Sequence, residues 1–233
     1  MSNWLMRGLM GLGGACLIFV GLPVARGAWE AQKADDVLYD LRMGRHLDLI
    51  KVRRAITNLD RAVRVQPVSD RYLERSELLG GAALTVDLKA TDKERMEWER
   101  RARADLEKGL ADAPARGIDW LRLGAMRQII DGASREVLAP LFLSIDYAPY
   151  IPQIWAPRLR LILDAWPYYT DEQKDWLTSY MVETWRIAPA HNHWFMAQAV
   201  HGPADELILR YFLRDVPGAQ EEITRLIKDV QKQ

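Results

Sequence analysis

The sequence predicts an all-α protein, with an N-terminal transmembrane helix followed by a solenoid of helical hairpins. Three observations predict this class. A single uncharged apolar run lies near the N-terminus, apolar residues recur at helical spacing through the rest of the chain, and small and large residues repeat at fixed distances before three prolines. The chain also lacks any alternating run rich in Val, Ile and Thr that would indicate a β-strand.

The apolar run Gly8–Ala25 is bracketed by Arg7 and Arg26 and has the length of a membrane span. A helix of this length extends roughly 27 Å, close to the ~30 Å hydrocarbon core of a bilayer. A cleaved signal peptide is the alternative, because small residues precede position 28, although the apolar core is longer than that of a usual signal. We therefore expect a membrane anchor, or a signal peptide, over residues 1–27 and a helical repeat domain over residues 28–233.

Two features bear on the side of the membrane that holds the body, and they disagree. One Arg precedes the run and four Lys or Arg residues follow it closely, which by the positive-inside rule favours a cytoplasmic body. Large domains nevertheless translocate largely regardless of such charges, and a span this near the N-terminus is typical of an export signal. The only cysteine, Cys16, lies inside the run, so the body tolerates an oxidising compartment. We expect a single-pass inner-membrane protein with a periplasmic body.

Composition excludes one class of partner. The chain has 32 basic and 32 acidic residues, and its formal net charge is zero, so it lacks the excess of positive charge typical of nucleic-acid-binding proteins. Hydrophobic residues make up 49% of the chain, and a body of about 205 residues can bury a sizeable core in one domain. We expect a globular body and no nucleic-acid partner.

Helix boundaries follow from Pro, Gly and capping residues. Two Thr residues, each followed three positions later by Glu or Gln, have the spacing of capping boxes, namely Thr91 with Glu94 and Thr170 with Gln173. The mixed-charge stretch 93–108 predicts a solvated helix with local ion pairs four residues apart. The predicted helices are 29–43, 47–66, 70–86, 91–114, 120–130, 136–147, 154–166, 172–187, 193–200, 205–215 and 221–230.

A repeat is visible in the second helix of several hairpins. In tetratricopeptide repeats a small residue, a large apolar residue, a second small residue and a Pro follow at fixed spacing, because small residues let paired helices approach and Pro ends the helix. This spacing occurs in Ala55, Leu59, Ala62 and Pro67, in Ala102, Leu106, Gly109 and Pro114, and in Val137, Leu141, Ser144 and Pro149; Trp120, Leu123 and Gly124 match the opening of a first helix. The Pro-to-Pro distances of 47 and 35 residues predict a degenerate tetratricopeptide-like solenoid, with a non-repeating helical bundle as the alternative.

Three parts of the chain carry a resemblance to a known family. They are the N-terminal span, the helix from Asp105-Leu106 to Pro114 with Trp120-Leu121-Arg122-Leu123 after it, and Ala148-Pro149 to Trp155 with Arg158-Leu159. These stretches resemble the VpsP-like polysaccharide biosynthesis family, small membrane-anchored accessory proteins of bacterial exopolysaccharide gene clusters. The resemblance implies a role in making or exporting an extracellular polysaccharide, with synthesis or export proteins as partners. It implies no catalytic residue.

Aromatic residues are concentrated in one segment, since 11 of the 21 lie between Tyr147 and Phe195. Aromatic faces pack against the C–H surface of sugar rings, which suggests a glycan-binding surface. The alternative is a packing role, because aromatic residues four apart, such as Trp176 and Tyr180, form a helical stripe. The candidate glycan or partner surface comprises Tyr147, Tyr150, Trp155, Arg158, Tyr168 and Tyr169.

A group of histidines is the candidate metal site of the sequence. His191, His193 and His201 lie close together in sequence, and such a group suits zinc or copper. Residues two apart face different sides of a helix, so we interpret the histidines as partly exposed residues at a helix start and expect no metal site.

The sequence contains no nucleophile elbow, zinc-protease motif or Gly-rich phosphate loop. We expect no catalytic residue and no cofactor.

These features predict a non-catalytic, membrane-anchored helical scaffold in exopolysaccharide biosynthesis or export that binds protein partners. The alternative hypothesis is a periplasmic protein that binds or processes glycans with the aromatic segment 147–195, in which case polysaccharide is itself a partner. A processing enzyme would need two carboxyl groups that face one cleft.

Overall fold

The computed structural model describes residue 19, residues 21–188 and residues 192–232. Across these residues every regular element is helical and no β-strand occurs, so the all-α prediction is confirmed. Helical backbone covers residues 21–32. The α-helices that follow are α1 (Asp35–Arg42), α2 (Leu49–Val65), α3 (Ser69–Leu84), α4 (Asp92–Asp112), α5 (Gly117–Asp131), α6 (Leu138–Tyr147), α7 (Trp155–Asp164), α8 (Asp171–Ile187), α9 (His193–Ala197), α10 (Pro203–Phe212) and α11 (Ala219–Val230). Short 3-10 turns precede α6, α7 and α8.

The predicted membrane span lies largely outside the described residues. Of the run Gly8–Ala25, the structure describes Phe19 and residues 21–25. Within the described ranges, no helix has both the length and the apolar character needed to cross a membrane.

The chain forms two compact units, Met1–Ala113 and Pro114–Gln233. The predicted repeat domain over residues 28–233 therefore extends across both of them. The N-terminal unit contains α1 to α4, and the C-terminal unit contains α5 to α11.

In the N-terminal unit, α3 and α4 pack along each other as a hairpin, and both α1 and α2 pack against α3. The predicted capping box is present at the start of α4, where Thr91 accepts from the backbone of Glu94 and the Glu94 side chain accepts from the Thr91 backbone. Fully buried leucines fill the space between the helices: Leu59, Leu78, Leu79, Leu88, Leu106 and Leu110.

Helix α4 is not a solvated helix, because one face is buried and its charges pair across the unit. Asp105 is buried and accepts from both Nε and Nη2 of Arg75 on α3, each at 2.7 Å. Asp60 on α2 accepts from Arg75 at 2.9 Å and from Arg101 at 2.5 Å. The prediction of purely local ion pairs for this stretch was therefore wrong for Arg101, because the tertiary approach of α2 offers a carboxylate that the sequence spacing cannot reveal.

The small residues of the predicted repeat lie at buried packing positions. Gly109 on α4 faces α3 so closely that an added Cβ would lie 2.6 Å from Leu73 Cδ2 and 3.3 Å from the Ser69 carbonyl oxygen. The large apolar residues that lie between these small residues are buried as well. The buried positions are Ala55, Leu59, Ala62, Ala102, Leu106 and Gly109 in the N-terminal unit and Val137, Leu141 and Ser144 in the C-terminal unit.

In the C-terminal unit, α5 and α6 form a second hairpin, α9 packs against both α7 and α11, and α10 packs against α8. The second predicted capping box is present at Thr170 and Gln173, at the start of α8. The core of this unit draws residues from every one of its helices and contains several of the aromatic residues of the 147–195 segment, among them Trp155, Tyr169 and Trp185.

An ion-pair network joins α7 to the start of α10. The Arg160 guanidinium donates to Asp205 at 2.7 Å and to the Ala199 carbonyl oxygen at 2.8 Å, and it also pairs with Asp164. Asp205 accepts in addition from the His201 backbone N–H at 2.9 Å. The hydrogen bond from Arg160 is the main cause that lowers the pKa of Asp205, because it stabilises the carboxylate form. The hydrogen bond from the His201 backbone acts in the same direction.

The first prediction concerns Gly109. Gly109→Leu should lower the melting temperature of the full-length protein, because overpacking of this kind costs about 1–3 kcal/mol. The better helix propensity of Leu opposes this by only about 0.8 kcal/mol. The matched control is Ala104→Leu at an exposed position on the same helix, which should change the melting temperature little. A higher melting temperature for Gly109→Leu would mean that the position is not a packing contact.

The second prediction concerns Asp205 and acid. Its folded pKa is lowered, so its contribution to stability is present above the unfolded pKa of about 3.9 and is lost as the pH falls through the folded pKa. Asp205→Asn should therefore be less stable than the native protein at neutral pH, and the difference should shrink below about pH 4. Urea unfolding at a series of pH values measures this. Asp87→Asn, at an exposed loop position, is the control, and a difference that stays constant into acid would contradict the prediction.

Candidate functional site

An open cleft of about 310 Å³ lies in the C-terminal unit between the end of α6 and one face of α8. Its volume is at the lower end of the roughly 300–1,000 Å³ typical of small-molecule sites. We call it the α6–α8 cleft. It is lined by Ile145, Asp146, Pro149, Tyr150, Trp176, Ser179, Tyr180 and Glu183.

One wall of the cleft is a stripe along α8. Trp176, Tyr180 and Glu183 follow each other at intervals of four and three residues, which places them on one side of the helix. Ser179 lies between them and supplies a hydroxyl. The capping box at Thr170 fixes the start of this helix, so the stripe has a defined orientation. An apolar surface and polar groups therefore alternate along a single wall.

The Trp176 ring is solvent-exposed but fixed in place. Its side chain is 42% exposed. The Phe142 and Trp176 rings meet edge to face at a centroid distance of 5.2 Å, and Tyr180 stacks nearly parallel to Trp176 at 6.0 Å. Aromatic contacts of these two kinds are favourable beyond the burial of surface. The result is a preformed apolar platform that faces the cleft.

The opposite wall is the end of α6 and the loop that follows it. Tyr150 is also 42% exposed. The Glu183 carboxylate lies near its phenol oxygen, and the interaction between them is the main cause that raises the pKa of Tyr150. Tyr150 therefore remains a neutral donor at physiological pH. Asp146 contributes a second exposed carboxylate to the cleft and is the penultimate residue of α6.

Arg158 lies beneath the cleft and supports both walls. Its guanidinium is 1% exposed and donates to the carbonyl oxygens of Ser144, Ala148 and Pro149 at 2.8–3.1 Å. It also donates to Ser144 Oγ at 2.9 Å and to the Tyr180 hydroxyl at 2.8 Å. The three carbonyls belong to the C-terminal end of α6 and the loop after it. Ser144 also accepts from the Ala148 backbone N–H at 3.1 Å, and Pro149 from the Tyr180 hydroxyl at 3.0 Å. Arg158 thus caps α6 and ties it to α8.

The six residues of the predicted surface divide into two groups. Tyr147, Tyr150 and Tyr168 are exposed, and of these only Tyr150 lines the cleft. Trp155, Arg158 and Tyr169 are buried and so cannot form part of an exposed surface, although Arg158 positions the cleft from below. Burial also raises the pKa of Tyr169. Trp155 and Tyr169 belong to the apolar core of this unit because their flanking helices turn these rings inward.

Sequence reasoning missed several residues that line the cleft. The four-residue spacing of Trp176 and Tyr180 favours a packing stripe, yet only Tyr180 is buried. Asp146 and Ser179 were not singled out. The available signal was the alternation of polar and aromatic residues at 176, 179, 180 and 183, which a fully buried helical face would not carry.

The histidine group does not form a site in the described part of the chain. His193 is buried, stacks on Trp185 at a centroid distance of 3.8 Å, and has both ring nitrogens engaged, one with Glu222 and one with the Trp185 carbonyl oxygen, each at 2.9 Å. The expectation of partly exposed histidines was therefore wrong for His193. His201 is exposed, and His191 lies outside the described residues. Among the described residues, no group of three His, Cys, Asp or Glu side chains could hold a metal ion.

The α6–α8 cleft combines flat ring faces with hydroxyl and carboxylate groups. This combination suits a saccharide, whose C–H faces stack on aromatic rings and whose hydroxyls need hydrogen-bonding partners. Comparisons of the chain with protein-family models, curated proteins and solved structures find no match. The choice of ligand therefore depends on the chemistry of the cleft.

The third prediction concerns Arg158. Arg158→Lys should destabilise the protein by about 3–5 kcal/mol, because a single ammonium cannot serve five buried acceptors and leaves several of them unpaired. Chemical denaturation of the full-length protein measures this. The control is Arg186→Lys, at an exposed position on α8, which should have little effect. A loss below about 1 kcal/mol would mean that water or neighbouring groups replace the guanidinium.

Proposed function

We propose that this protein is a non-catalytic, membrane-associated accessory protein of exopolysaccharide biosynthesis or export, and that its C-terminal unit binds saccharide in the α6–α8 cleft. The observation that carries the binding proposal is the exposed but fixed Trp176 ring, which lines one cleft together with Tyr150, Asp146 and Glu183. The resemblance to the VpsP-like family supports the pathway. The apolar run Gly8–Ala25 supports both the membrane association and the periplasmic location of the body.

Each part of the cleft has a role in this proposal. A pyranose ring would stack its C–H face on Trp176, as apolar ligand surfaces do on exposed aromatic faces. The carboxylates of Asp146 and Glu183 would accept hydrogen bonds from sugar hydroxyls, because a carboxylate is an acceptor only. The Ser179 hydroxyl donates to the Asp175 carbonyl oxygen at 3.1 Å and would therefore serve a ligand as an acceptor. A saccharide could therefore satisfy its hydroxyls along the same wall that stacks its ring.

Binding is proposed in preference to glycan processing. Hydrolysis of a glycosidic bond requires two carboxyl groups on either side of it, and Asp146 and Glu183 do line the same cleft. Both are exposed in an open cleft, however, whereas the general acid of such an enzyme usually lies in an environment that favours its protonated form. Release of reducing sugar by the purified protein, lost on Glu183→Gln, would favour the enzyme instead.

A scaffold that holds partner proteins is the second candidate function. It is favoured by the buried small residues of the predicted repeat, such as Ala102 and Gly109, which let helices pair closely. A tetratricopeptide-like solenoid built from such hairpins would offer an extended surface to polysaccharide synthesis or export proteins. Capture of those proteins from mildly solubilised membranes by both the tagged native protein and its Trp176→Ala variant would favour this function, since partner binding would then not need the cleft.

The fourth prediction tests saccharide binding. Isothermal titration of the full-length protein in detergent with oligosaccharides cut from the exopolysaccharide of the producing cell should give binding that Trp176→Ala weakens at least about tenfold. Trp29→Ala removes an exposed indole from the other unit, where Trp29 is 63% exposed, and is the control. Circular dichroism establishes that both variants fold. Equal loss in both variants, or binding that Trp176→Ala does not change, would contradict the proposal.

A further inference from the structure

We propose that the α6–α8 cleft selects saccharides that carry a protonated amine, the class of amino sugars whose nitrogen is not acetylated, over neutral and acidic saccharides. This inference rests on the proposed function in that it takes the cleft to be a saccharide site. It concerns which sugars the cleft distinguishes, and three observations lead to it.

The first observation is the charge of the cleft. Asp146 and Glu183 are its ionisable acids, and its described lining residues include no Lys, Arg or His. An opposite charge within a few ångströms of a carboxylate is attracted, and a like charge is repelled. A uronic acid or a sulfated sugar would therefore place its anion beside two carboxylates without a cation to offset them, whereas an ammonium group would be stabilised there.

The second observation is that the nearest buried cation is already used. Arg158 lies beneath the cleft, but it is 1% exposed, and its hydrogen bonds go to carbonyl oxygens, to Ser144 Oγ and to the Tyr180 hydroxyl. The carbonyl end of helix α6 carries partial negative charge, which offsets the guanidinium. Arg158 is thus unavailable to bind an anionic ligand directly.

The third observation is the arrangement of the rings. Trp176 and Tyr180 stack nearly parallel, and Tyr150 lies on the opposite wall. The negative face of an aromatic ring attracts an ammonium group, and tryptophan does so most strongly. The Glu183 carboxylate interacts with the Tyr150 phenol, so a carboxylate and aromatic rings of both walls lie together in the cleft. A ligand that is both flat and cationic would use all of these groups together.

A sugar is favoured over the other cationic ligand of this kind, a lysine side chain of a basic peptide. One ammonium needs few acceptors, and a lysine stem has no flat face. The cleft offers two carboxylates, the Ser179 hydroxyl and ring faces on both walls, in a volume of about 310 Å³. These groups suit a ligand that has several hydroxyls besides its amine.

The fifth prediction tests this selectivity by titrating the full-length protein in detergent. The probes are short oligomers of glucosamine, of N-acetylglucosamine and of galacturonate, and oligolysine, at about pH 6 and low salt. The glucosamine oligomer should bind at least about tenfold more tightly than the acetylated one, and its affinity should fall as salt rises to about 0.5 M. The galacturonate oligomer should bind most weakly of the sugars.

Two variants separate charge from folding. Glu183→Gln should weaken the glucosamine oligomer about fivefold or more and leave the acetylated oligomer within about twofold, because only the ammonium loses a charge partner. Glu221→Gln changes the net charge equally at an exposed position on α11 and should leave both affinities unchanged. The ratio between the two oligomers is the readout that a merely structural role of Glu183 would not move.

The outcomes are distinguishable. Equal or tighter binding of the acetylated or galacturonate oligomer, still sensitive to Trp176→Ala, would overturn the inference and leave the proposed saccharide site intact. Absence of any Trp176-dependent sugar binding would overturn both. Oligolysine that binds as tightly as the glucosamine oligomer and depends on Trp176 would identify a basic peptide as the ligand and overturn the inference.

Discussion

The C-terminal unit depends on one buried charge. Arg158 is the largest fully buried side chain among the described residues, and a charge in an apolar interior is costly unless its polar groups are paired. Both terminal nitrogens of its guanidinium have acceptors, whereas Nε has none. Here the counter-charge is the carbonyl end of α6, completed by Ser144 Oγ and the Tyr180 hydroxyl. Because the same group holds the end of α6 and the middle of α8, the two walls of the α6–α8 cleft share a single support.

The N-terminal unit uses charge differently. Asp60, Arg75, Arg101 and Asp105 form a network of paired carboxylates and guanidiniums between α2, α3 and α4. Asp105 is buried and bound through both oxygens by Arg75, the bidentate geometry in which such pairs are strongest. The network links three helices, and the Arg53–Glu94 ion pair adds a further contact between α2 and α4.

Features governed by local spacing could be predicted from the sequence. The helical class, the capping boxes at Thr91 and Thr170 and the burial of Gly109 follow from residues within one or two turns of each other. The ligand-facing groups could not be predicted in this way, because Asp146 and Glu183 line one cleft only after α6 and α8 have packed. A stripe of rings four apart is equally compatible with a core and with a platform, and the side of Trp176 that faces water depends on where Phe142 lies. Helical periodicity identifies the exposed face of an isolated helix but not the gaps between helices.

The bracing of Trp176 by Phe142 and Tyr180 has a thermodynamic consequence. A surface side chain that is free to rotate loses conformational entropy when a partner immobilises it, and this loss reduces affinity. The Trp176 ring has largely undergone that loss during folding, since neighbouring rings already restrict it from two sides. Association with a ligand would therefore order the ligand far more than the protein. A rigid ligand would then bind this surface more tightly than a flexible ligand that makes the same contacts.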